Sequence, residues 1–143
     1  MKLLSILLAA IFPILASAAG VQNKELPLSE MKKQNKEIVK LAAEEISKTL
    51  PQTVDKKTKL IGVKSDNTTL VYIYEINIAP KSDEAVKKED YSRMKEAVTY
   101  GTCNSSKRFL DADISIRYLY KSEHSKSELF KFDINKESCS KLL

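Results

Sequence analysis

Few residues in this sequence are of the types that carry out catalysis. His124 is the only histidine, and it lies in a polar stretch. A zinc site with several histidines is therefore excluded, and a histidine-activated nucleophile has no rigid position for its base. The chain has only three glycines, so no glycine-rich loop can cradle a phosphate. No acid spacing typical of a calcium loop is present, and we expect neither a metal nor a cofactor.

Paired carboxylates are the one feature that could support catalysis. The pairs are Glu44/Glu45, Asp83/Glu84, Glu89/Asp90 and Asp111/Asp113. Glycosidases can work with two carboxylates alone. Adjacent acids surrounded by lysines more often form solvated faces of helices. We therefore expect that the protein is not an enzyme, and a small carboxylate-dependent hydrolase of envelope glycans is the alternative.

The two cysteines, Cys103 and Cys139, are 36 residues apart. In an exported chain, an even number of cysteines indicates a disulfide, and two cysteines leave one intramolecular pairing. Closing this loop should stabilise the fold by about 3–4 kcal/mol. Two buried free thiols are the alternative. The spacing excludes a redox pair of the C-x-x-C type.

The N-terminus has the pattern of a secretory signal peptide. Lys2 is followed by an apolar run from residue 3 to residue 15, and Ala16-Ser17-Ala18 forms a small-x-small cleavage site. A transmembrane anchor is the alternative, but this run is shorter than the roughly 20 residues that a span needs. No cysteine follows Ala18 that could be acylated. We predict cleavage after Ala18, a periplasmic or secreted protein, and no stable membrane anchor.

The charge pattern argues against nucleic-acid binding. The chain has 24 basic and 19 acidic residues, a net charge of +5, and only three of the basic residues are arginines. Recognition of nucleic acids usually uses arginine forks and clustered charge. A solvated lysine surface is the simpler interpretation, so we expect no nucleic-acid partner.

Hydrophobic periodicity divides the rest of the chain into six elements. Residues 1–18 are the signal peptide, 19–28 a flexible segment, and 29–143 a single domain. Ser29 can cap a helix that starts near Glu30 and stops before Pro51. Alternating patterns predict strands at 59–64, 69–78, 114–120 and 129–134, and a second helix runs over 83–100, capped by Ser82 and broken by Gly101. One short helical turn is expected over residues 105–110, before the third strand.

The order helix-strand-strand-helix-strand-strand predicts an α+β fold. Short loops favour antiparallel neighbours, which gives a four-stranded antiparallel sheet with both helices on one face. Two strands share a Tyr-x-Tyr pattern, and we expect these tyrosines to be core residues with hydroxyls satisfied at the edge. The predicted buried face comprises Leu70, Tyr72, Tyr74, Ile76, Ile116, Tyr118, Phe130 and Phe132.

The opposite sheet face combines an apolar centre with a charged rim, which is typical of a modest docking patch. The predicted partner-binding residues are Val71, Ile73, Arg117, Leu119, Leu129 and Lys131. Two alternatives are an ordinary half-apolar sheet face and a face covered by a terminus or an extra helix.

Several short segments resemble a family of small exported bacterial proteins labelled quorum-sensing-regulated virulence factors. The matching segments are Leu50-Pro51 to Asp55, Thr58, Leu60, Tyr72-Ile73-Tyr74, Cys103, Phe109-Leu110-Asp111-Ala112, Arg117-Tyr118-Leu119-Tyr120 and Phe132 to Cys139. The resemblance spans roughly residues 30–139. It implies export and involvement with a host, and it supplies no catalytic residue. Glycine is common in that family near the position of Asp113, so the start of the third strand should differ here.

The layout is also similar to that of pilotin-like proteins, which escort secretion-channel subunits and are typically lipid-anchored. The missing acylation cysteine counts against that role. The sequence therefore predicts an exported, non-catalytic binding or accessory protein of the bacterial envelope or secretome, with virulence implied by the resemblance alone. Its partner would be a protein of the envelope or of a host. A structural envelope protein that binds nothing specific is a further alternative.

Overall fold

The computed structural model describes residues 25–142. The helices are α1 (Leu28–Ser47), α2 (Asp83–Ser105), α3 (Lys107–Asp111) and α4 (Lys136–Ser140). The strands are β1 (Gln52–Thr53), β2 (Thr58–Asp66), β3 (Thr69–Ile76), β4 (Ser115–Ser122) and β5 (Glu128–Ile134). The signal peptide predicted for residues 1–18 lies outside the described part of the chain.

Helix α1 forms because one stripe of its surface can be buried. Asn35, Val39 and Ala43 recur every four residues and are its buried positions. The helix begins at Leu28, directly after Pro27, so the predicted start near Glu30 is two residues late. Ser29 lies within the helix and makes no capping hydrogen bond, because Pro27 occupies the cap position.

Helix α2 is longer than the sequence pattern predicts. The predicted cap is confirmed, since the Ser82 side chain accepts a hydrogen bond of 3.2 Å from the backbone N–H of Ala85. The predicted break at Gly101 is wrong, because the helix continues to Ser105. A glycine inside a helix costs only about 1 kcal/mol, which the contacts of the following turn can offset.

The sheet has five strands in the order β1-β2-β3-β4-β5, and the predicted four-stranded antiparallel sheet is wrong. Strands β1–β2, β2–β3 and β4–β5 pair antiparallel, but β3 and β4 pair parallel, with Tyr72 beside Tyr118 and Tyr74 beside Tyr120. The reason is the helical crossover. Helix α2 carries the chain back along the sheet, so β4 starts at the same end as β3.

Three short elements complete the fold, and two of them were not predicted. Strand β1 has only two residues, too few to show a periodic pattern. Helix α4 is held by a capping box, in which Asn135 and Ser138 exchange side-chain and backbone hydrogen bonds. The short helical turn expected near residues 105–110 is present as α3. The domain therefore has four helices, two more than predicted.

Both long helices lie on one face of the sheet, as predicted, and they build two hydrophobic clusters there. Helix α1 packs on β2 and β3, with Val39 and Ala43 against Leu60 and Leu70. Helix α2 packs on β5, where Val86 joins the larger cluster. The predicted buried face is confirmed as part of these clusters, whose strand residues include Leu70, Tyr72, Tyr74, Ile76, Ile116, Tyr118, Phe130 and Phe132. We call this side of the sheet the covered face.

The predicted disulfide is present. Cys103 in α2 and Cys139 in α4 are joined with a Cα–Cα distance of 5.6 Å, and no other cysteine occurs in the chain. The bond fixes the short terminal helix against the long one. The α+β class and the single disulfide are therefore confirmed. No helix within residues 25–142 is both long and apolar enough to cross a membrane.

Candidate functional site

The residues with catalytic potential do not converge in the described part of the chain. His124 is exposed in the β4–β5 turn, beside a cavity of about 560 Å³ whose lining residues run from Asn77 to Asp83 and from Ser122 to His124. The Asp83 carboxylate accepts a 2.6 Å hydrogen bond from Ser125. Among residues 25–142, no three histidines, cysteines or acids are grouped to hold a metal.

Three of the four acid pairs have at least one member beside a basic residue at the surface. Asp111 lies 2.6 Å from Lys107, and Glu45 lies 2.6 Å from Lys48. Glu89 and Asp90 both contact Lys81, at 2.7 and 3.5 Å. These carboxylates therefore have cations as partners, and no observation favours the hydrolase alternative.

The sheet side opposite the helices, which we call the open face, carries most of the predicted partner-binding residues. The strand register arranges them in rows across β2 to β5. The upper row is Lys64, Val71, Arg117 and Asp133; the middle row is Gly62, Ile73, Leu119 and Lys131; the lower row is Lys59, Glu75, Lys121 and Glu128. The structure thus brings Val71, Ile73, Leu119, Arg117 and Lys131 together.

The apolar centre of the open face is scarcely exposed. Val71 is 5% exposed and Ile73 is 8% exposed, although no described helix covers this face. Gly62 leaves room for Ile73, because a Cβ at position 62 would lie 3.4 Å from Ile73 Cδ1. The surrounding charged side chains are long enough to cover the two residues with their hydrocarbon stems.

Two sets of charges on the open face are paired, whereas five charged residues of its rows form no salt bridge within residues 25–142: Lys59, Lys64, Lys121, Lys131 and Glu128. Arg117 Nε lies 2.5 Å from Asp133 Oδ1, and Nη1 lies 3.3 Å from Asp66 Oδ2. The hydrogen bond that Arg117 donates to Asp133 is the main cause that raises the pKa of Arg117 above its usual value. Lys126 reaches Glu75 at 2.6 Å. Charge compensation by salt bridges on the open face is therefore limited to the surroundings of Arg117 and Glu75.

Leu129, the sixth predicted partner-binding residue, is placed differently. The β4–β5 register shifts between Tyr120 and Lys121, whose partners are Phe130 and Glu128, so Leu129 is the extra residue of a bulge. It is 5% exposed and belongs to the larger core cluster. A strictly alternating pattern assigns it to the open face because the pattern contains no sign of a bulge.

The covered face contains a second candidate surface, a strip of four tyrosines between the two long helices. Tyr72 and Tyr74 come from β3, and Tyr118 and Tyr120 from β4. Their rings are stacked, with centroids 5.6 Å apart for Tyr72–Tyr118 and 5.0 Å apart for Tyr74–Tyr120. Tyr72 and Tyr74 contact the clusters beneath both helices. We call this strip and its helical walls the tyrosine groove.

The tyrosine rings are partly buried, but most of their hydroxyls reach solvent. A 2.9 Å hydrogen bond joins the hydroxyls of Tyr118 and Thr102. The hydroxyls of Tyr72, Tyr74 and Tyr120 have no hydrogen-bond partner within residues 25–142, and no fully buried side-chain oxygen of that range lacks one. These three hydroxyls are therefore in contact with water. The expectation that they would be satisfied by the protein holds for Tyr118 alone.

Burial keeps the groove tyrosines neutral. Removal of the ring from water raises the pKa of Tyr74 to about 12, and it also raises the pKa of Tyr72, Tyr118 and Tyr120 above the usual value. For Tyr118 the hydrogen bond with Thr102 partly opposes this rise. At physiological pH the groove therefore presents uncharged aromatic rings with polar tips.

One wall of the groove is an exposed apolar flank of α1. Ser47 and Lys40 border a crevice with Val63 of β2, so their side of α1 faces the β1 edge of the sheet. Ile38 is nine residues before Ser47, which places it about 180° away at roughly 100° per residue. Ile38 therefore points toward α2. It is 44% exposed, and Leu41 on the next turn is 55% exposed.

The two long helices are too far apart to pack against each other. Strands lie about 4.8 Å apart, so a helix over β2–β3 and a helix over β5 have axes about 12 Å apart. Packed helices need about 8–10 Å. Few contacts join α1 and α2, in agreement with this estimate. The extra separation of a few ångströms leaves room above the tyrosines for the side chains of a segment that lies across the two helices.

The sequence contained a signal for this groove. The Tyr-x-Tyr pattern occurs in both central strands, and parallel pairing places the two patterns side by side. An antiparallel prediction does not place them in this register. The pairing of β3 with β4 was thus the missing information.

Residues 33–130 match the domain of unknown function DUF8479, and because this is more than half of the sequence, the chain belongs to that family. No curated protein matches the sequence.

Three solved structures share the fold. A Pseudomonas aeruginosa protein inferred to be secreted has 11% identity and a TM-score of 0.67, covering 80% of this chain and 99% of its own. The pilotin EpsS of the Vibrio vulnificus type 2 secretion system has 14% identity, a TM-score of 0.65, and coverage of 78% and 96%. The Vibrio cholerae type II pilotin AspS has 15% identity, a TM-score of 0.58, and coverage of 78% and 97%. At these identities the likeness shows the fold alone, and none of the three names refers to virulence.

Proposed function

We propose that this chain is an exported, non-catalytic accessory protein of the bacterial envelope, which holds a helical segment of a protein partner in the tyrosine groove. The observation that carries the proposal is the strip of stacked tyrosines with three water-facing hydroxyls, between helices that do not pack together. Tyrosine is enriched at interfaces because one end of the ring is apolar and the other can hydrogen-bond.

The shape of the groove favours a helical occupant. Amphipathic helices commonly bind by laying an apolar face into a groove between helices. Exposed Ile38 and Leu41 would extend the apolar contact beyond the tyrosine floor. Two of the solved structures with this fold are pilotins of type 2 secretion systems, which supports an accessory role. The predicted cleavage after Ala18 supports export. We do not extend the proposal to virulence, because only the sequence resemblance supports it.

The open face is the competing location for the partner. Its predicted residues Val71, Ile73, Leu119, Arg117 and Lys131 are contiguous, but the first two are almost completely buried and Arg117 is paired with two acids. Ile38 and Leu41 on the α1 flank are 44% and 55% exposed, whereas Val71 and Ile73 are 5% and 8% exposed, and for that reason we place the partner in the groove.

Site-specific photo-crosslinking in the native bacterium tests the proposal. A photoreactive amino acid at Leu41, on the outer rim of α1 beside the groove, samples an occupant of the groove, and the same amino acid at Lys131 samples the open face. We expect one discrete protein adduct from position 41 and none from position 131. An adduct from position 131 alone would move the partner to the open face, and no adduct from either position would contradict both locations.

A matched pair of variants provides the control. Ile38 and Leu142 are both 44% exposed, but only Ile38 borders the groove. We expect Ile38→Lys to abolish the adduct at position 41 and Leu142→Lys to leave it intact. Equal loss in both variants would indicate a general effect of surface charge.

A further inference from the structure

Three hydroxyls on the floor of the tyrosine groove have no partner in the described chain. Those of Tyr72, Tyr74 and Tyr120 form no hydrogen bond within residues 25–142, whereas Tyr118 is paired with Thr102. An occupant that displaces water from these hydroxyls must replace the lost hydrogen bonds, because a polar group that is buried without a partner weakens the complex. The floor therefore favours a partner that is polar where it meets the tyrosines.

The spacing of the rings allows one inserted group to reach two hydroxyls. Ring centroids lie 5.0 Å apart for Tyr74–Tyr120 and 5.6 Å apart for Tyr72–Tyr118, and the ring planes of each pair differ by 15°. The residues of each pair are neighbours across β3 and β4, so their side chains project from the same face of the sheet. Hydroxyls spaced like their rings are too far apart to bond each other, since an O–H···O bond spans about 2.5–3.0 Å. A polar group between two of them can bond both.

The floor carries no charge that would attract an ion. Burial is the main cause that raises the pKa of each of the four tyrosines. Neighbouring tyrosines are the other cause of the rise, and the bond with Thr102 opposes it at Tyr118. No lysine, arginine or carboxylate of residues 25–142 contributes to these shifts. Because an ion would lose its hydration there without gaining a counter-ion, a neutral polar group is favoured.

We infer that the partner helix inserts a carboxamide side chain, from Asn or Gln, between the tyrosine hydroxyls. A carboxamide is neutral, and it both donates and accepts hydrogen bonds, as each hydroxyl does. It also extends further from the backbone than the hydroxyl of Ser or Thr. Apolar residues on the flanking turns of the same helix would contact Ile38 and Leu41. This inference rests on the proposed function, because it assumes a helix in the groove, and it adds the side-chain chemistry that the groove recognises.

A displayed peptide library tests the inference without knowledge of the natural partner. The library holds 20-residue amphipathic helices with fixed apolar residues at both ends of the stripe and random residues at its central positions. It is selected against the disulfide-intact mature protein. We expect Asn or Gln to be enriched at a central position. Replacement of that residue by Leu in a selected peptide should weaken binding at least tenfold, since the tyrosine hydroxyls would lose water without gaining a partner.

Removal of two hydroxyls links the selection to the tyrosines. Tyr74→Phe with Tyr120→Phe keeps both rings and breaks no hydrogen bond of the described chain, so the fold should persist, and an unchanged melting temperature verifies this. We expect this double variant to weaken the Asn or Gln peptide at least tenfold and to bind the Leu peptide at least as tightly as the wild type does. The control Tyr100→Phe removes a hydroxyl beside the disulfide, where the residue is 65% exposed, and should alter affinity less than twofold.

The outcomes separate this inference from the proposed function. Apolar, acidic or hydroxyl residues at the central positions would overturn the inference and leave the groove as a helix site. Equal loss of affinity in the double variant and in Tyr100→Phe would do the same. Failure to select any peptide sensitive to Ile38→Lys would contradict the groove itself.

Discussion

The two faces of the sheet bury apolar residues by different means. On the covered face, α1 and α2 shield two hydrophobic clusters and leave a strip of tyrosines between them. On the open face, Val71 and Ile73 are also buried, although no described helix lies over them. Low exposure alone therefore does not distinguish a core from a surface. The distinction depends on whether helices or flexible charged side chains cover the apolar residues.

The two surfaces also differ in what satisfies their polar groups. On the open face, Arg117 binds both Asp66 and Asp133, and Glu75 binds Lys126. The tyrosine groove has rings that are partly covered and hydroxyls that only water satisfies. Binding of a partner is most favourable for a surface that is apolar, incompletely covered and able to form hydrogen bonds through the ends of its side chains.

Truncation of one isoleucine on each face should give the largest contrast. Ile116 lies on the covered face and is 1% exposed, whereas Ile73 lies on the open face and is 8% exposed. We expect Ile116→Ala to lower the free energy of unfolding by about 4 kcal/mol, because it leaves a closed cavity. Ile73→Ala should cost about 2 kcal/mol, since water and neighbouring side chains can fill the space. Urea denaturation measures both, and equal losses would refute the distinction between the faces.

Removal of the disulfide should have a comparable effect that is confined to the covered face. Cys103→Ser with Cys139→Ser should lower the free energy of unfolding by about 3–4 kcal/mol, since it frees a 36-residue loop of the unfolded chain. Denaturation of the oxidised wild type and the double variant measures this. Hydrogen exchange should show faster opening of α4 and the end of α2 than of β2. An unchanged free energy of unfolding in the double variant would contradict this prediction.

Alkaline pH should weaken the covered face through its tyrosines. Their pKa values are raised in the folded protein, so between pH 10 and 12 the unfolded chain releases protons that the folded chain retains. Their stabilising contribution is complete below pH 10 and is lost as the pH rises through the folded values. We expect the melting temperature to fall on the order of 5 °C over this range. Tyr74→Phe is the control and should reduce the fall; an identical fall would point to lysine deprotonation.

Removal of the central cation of the open face should have a smaller effect. Arg117→Met keeps a long apolar stem over Val71 but loses the contacts to Asp66 and Asp133. Because exposed ion pairs contribute little, we expect a loss of about 1 kcal/mol or less in the free energy of unfolding, decreasing further in high salt. A loss above 2 kcal/mol would show that this face is held together by its charges and not only solvated by them.

The smallest effect is expected at Asp113, just before β4, the strand that contributes residues to both faces of the sheet. Asp113 has a φ of +62°, in the left-handed region that favours glycine. Asp113→Gly should therefore change the free energy of unfolding by less than about 1 kcal/mol, with stabilisation the expected sign. Thermal denaturation detects the shift. The control Ala112→Gly lies beside it at a negative φ and should destabilise.

The sequence was sufficient for features that depend on local pattern. Ser82 as a helix cap, the Cys103–Cys139 bond and the alternation of β3 all follow from residue types and spacing. Pairing depends on the path of the chain between strands. The connection between β3 and β4 contains α2, so the rule for short loops does not hold there. It predicts that β4 runs antiparallel to β3, whereas the two strands are parallel.

The same limitation affected the candidate site. Without the parallel register, the two Tyr-x-Tyr patterns were assigned to the core individually and were not recognised as one surface. The bulge at Leu129 depends on the pairing of β4 with β5. Alternation alone therefore assigns Leu129 to the open face, although it lies in the core.

The parallel pairing of β3 with β4 also determines how much of the chain must fold before the groove can form. Tyr72 and Tyr118 stand side by side, although 46 positions separate them along the polypeptide. Neither half of the chain can assemble the groove floor alone, and contacts between such distant residues form late during folding. A protein emerging from its N-terminus would stay inert until its final hairpin had arrived. In the proposed function, the partner would then bind only after the whole domain has folded.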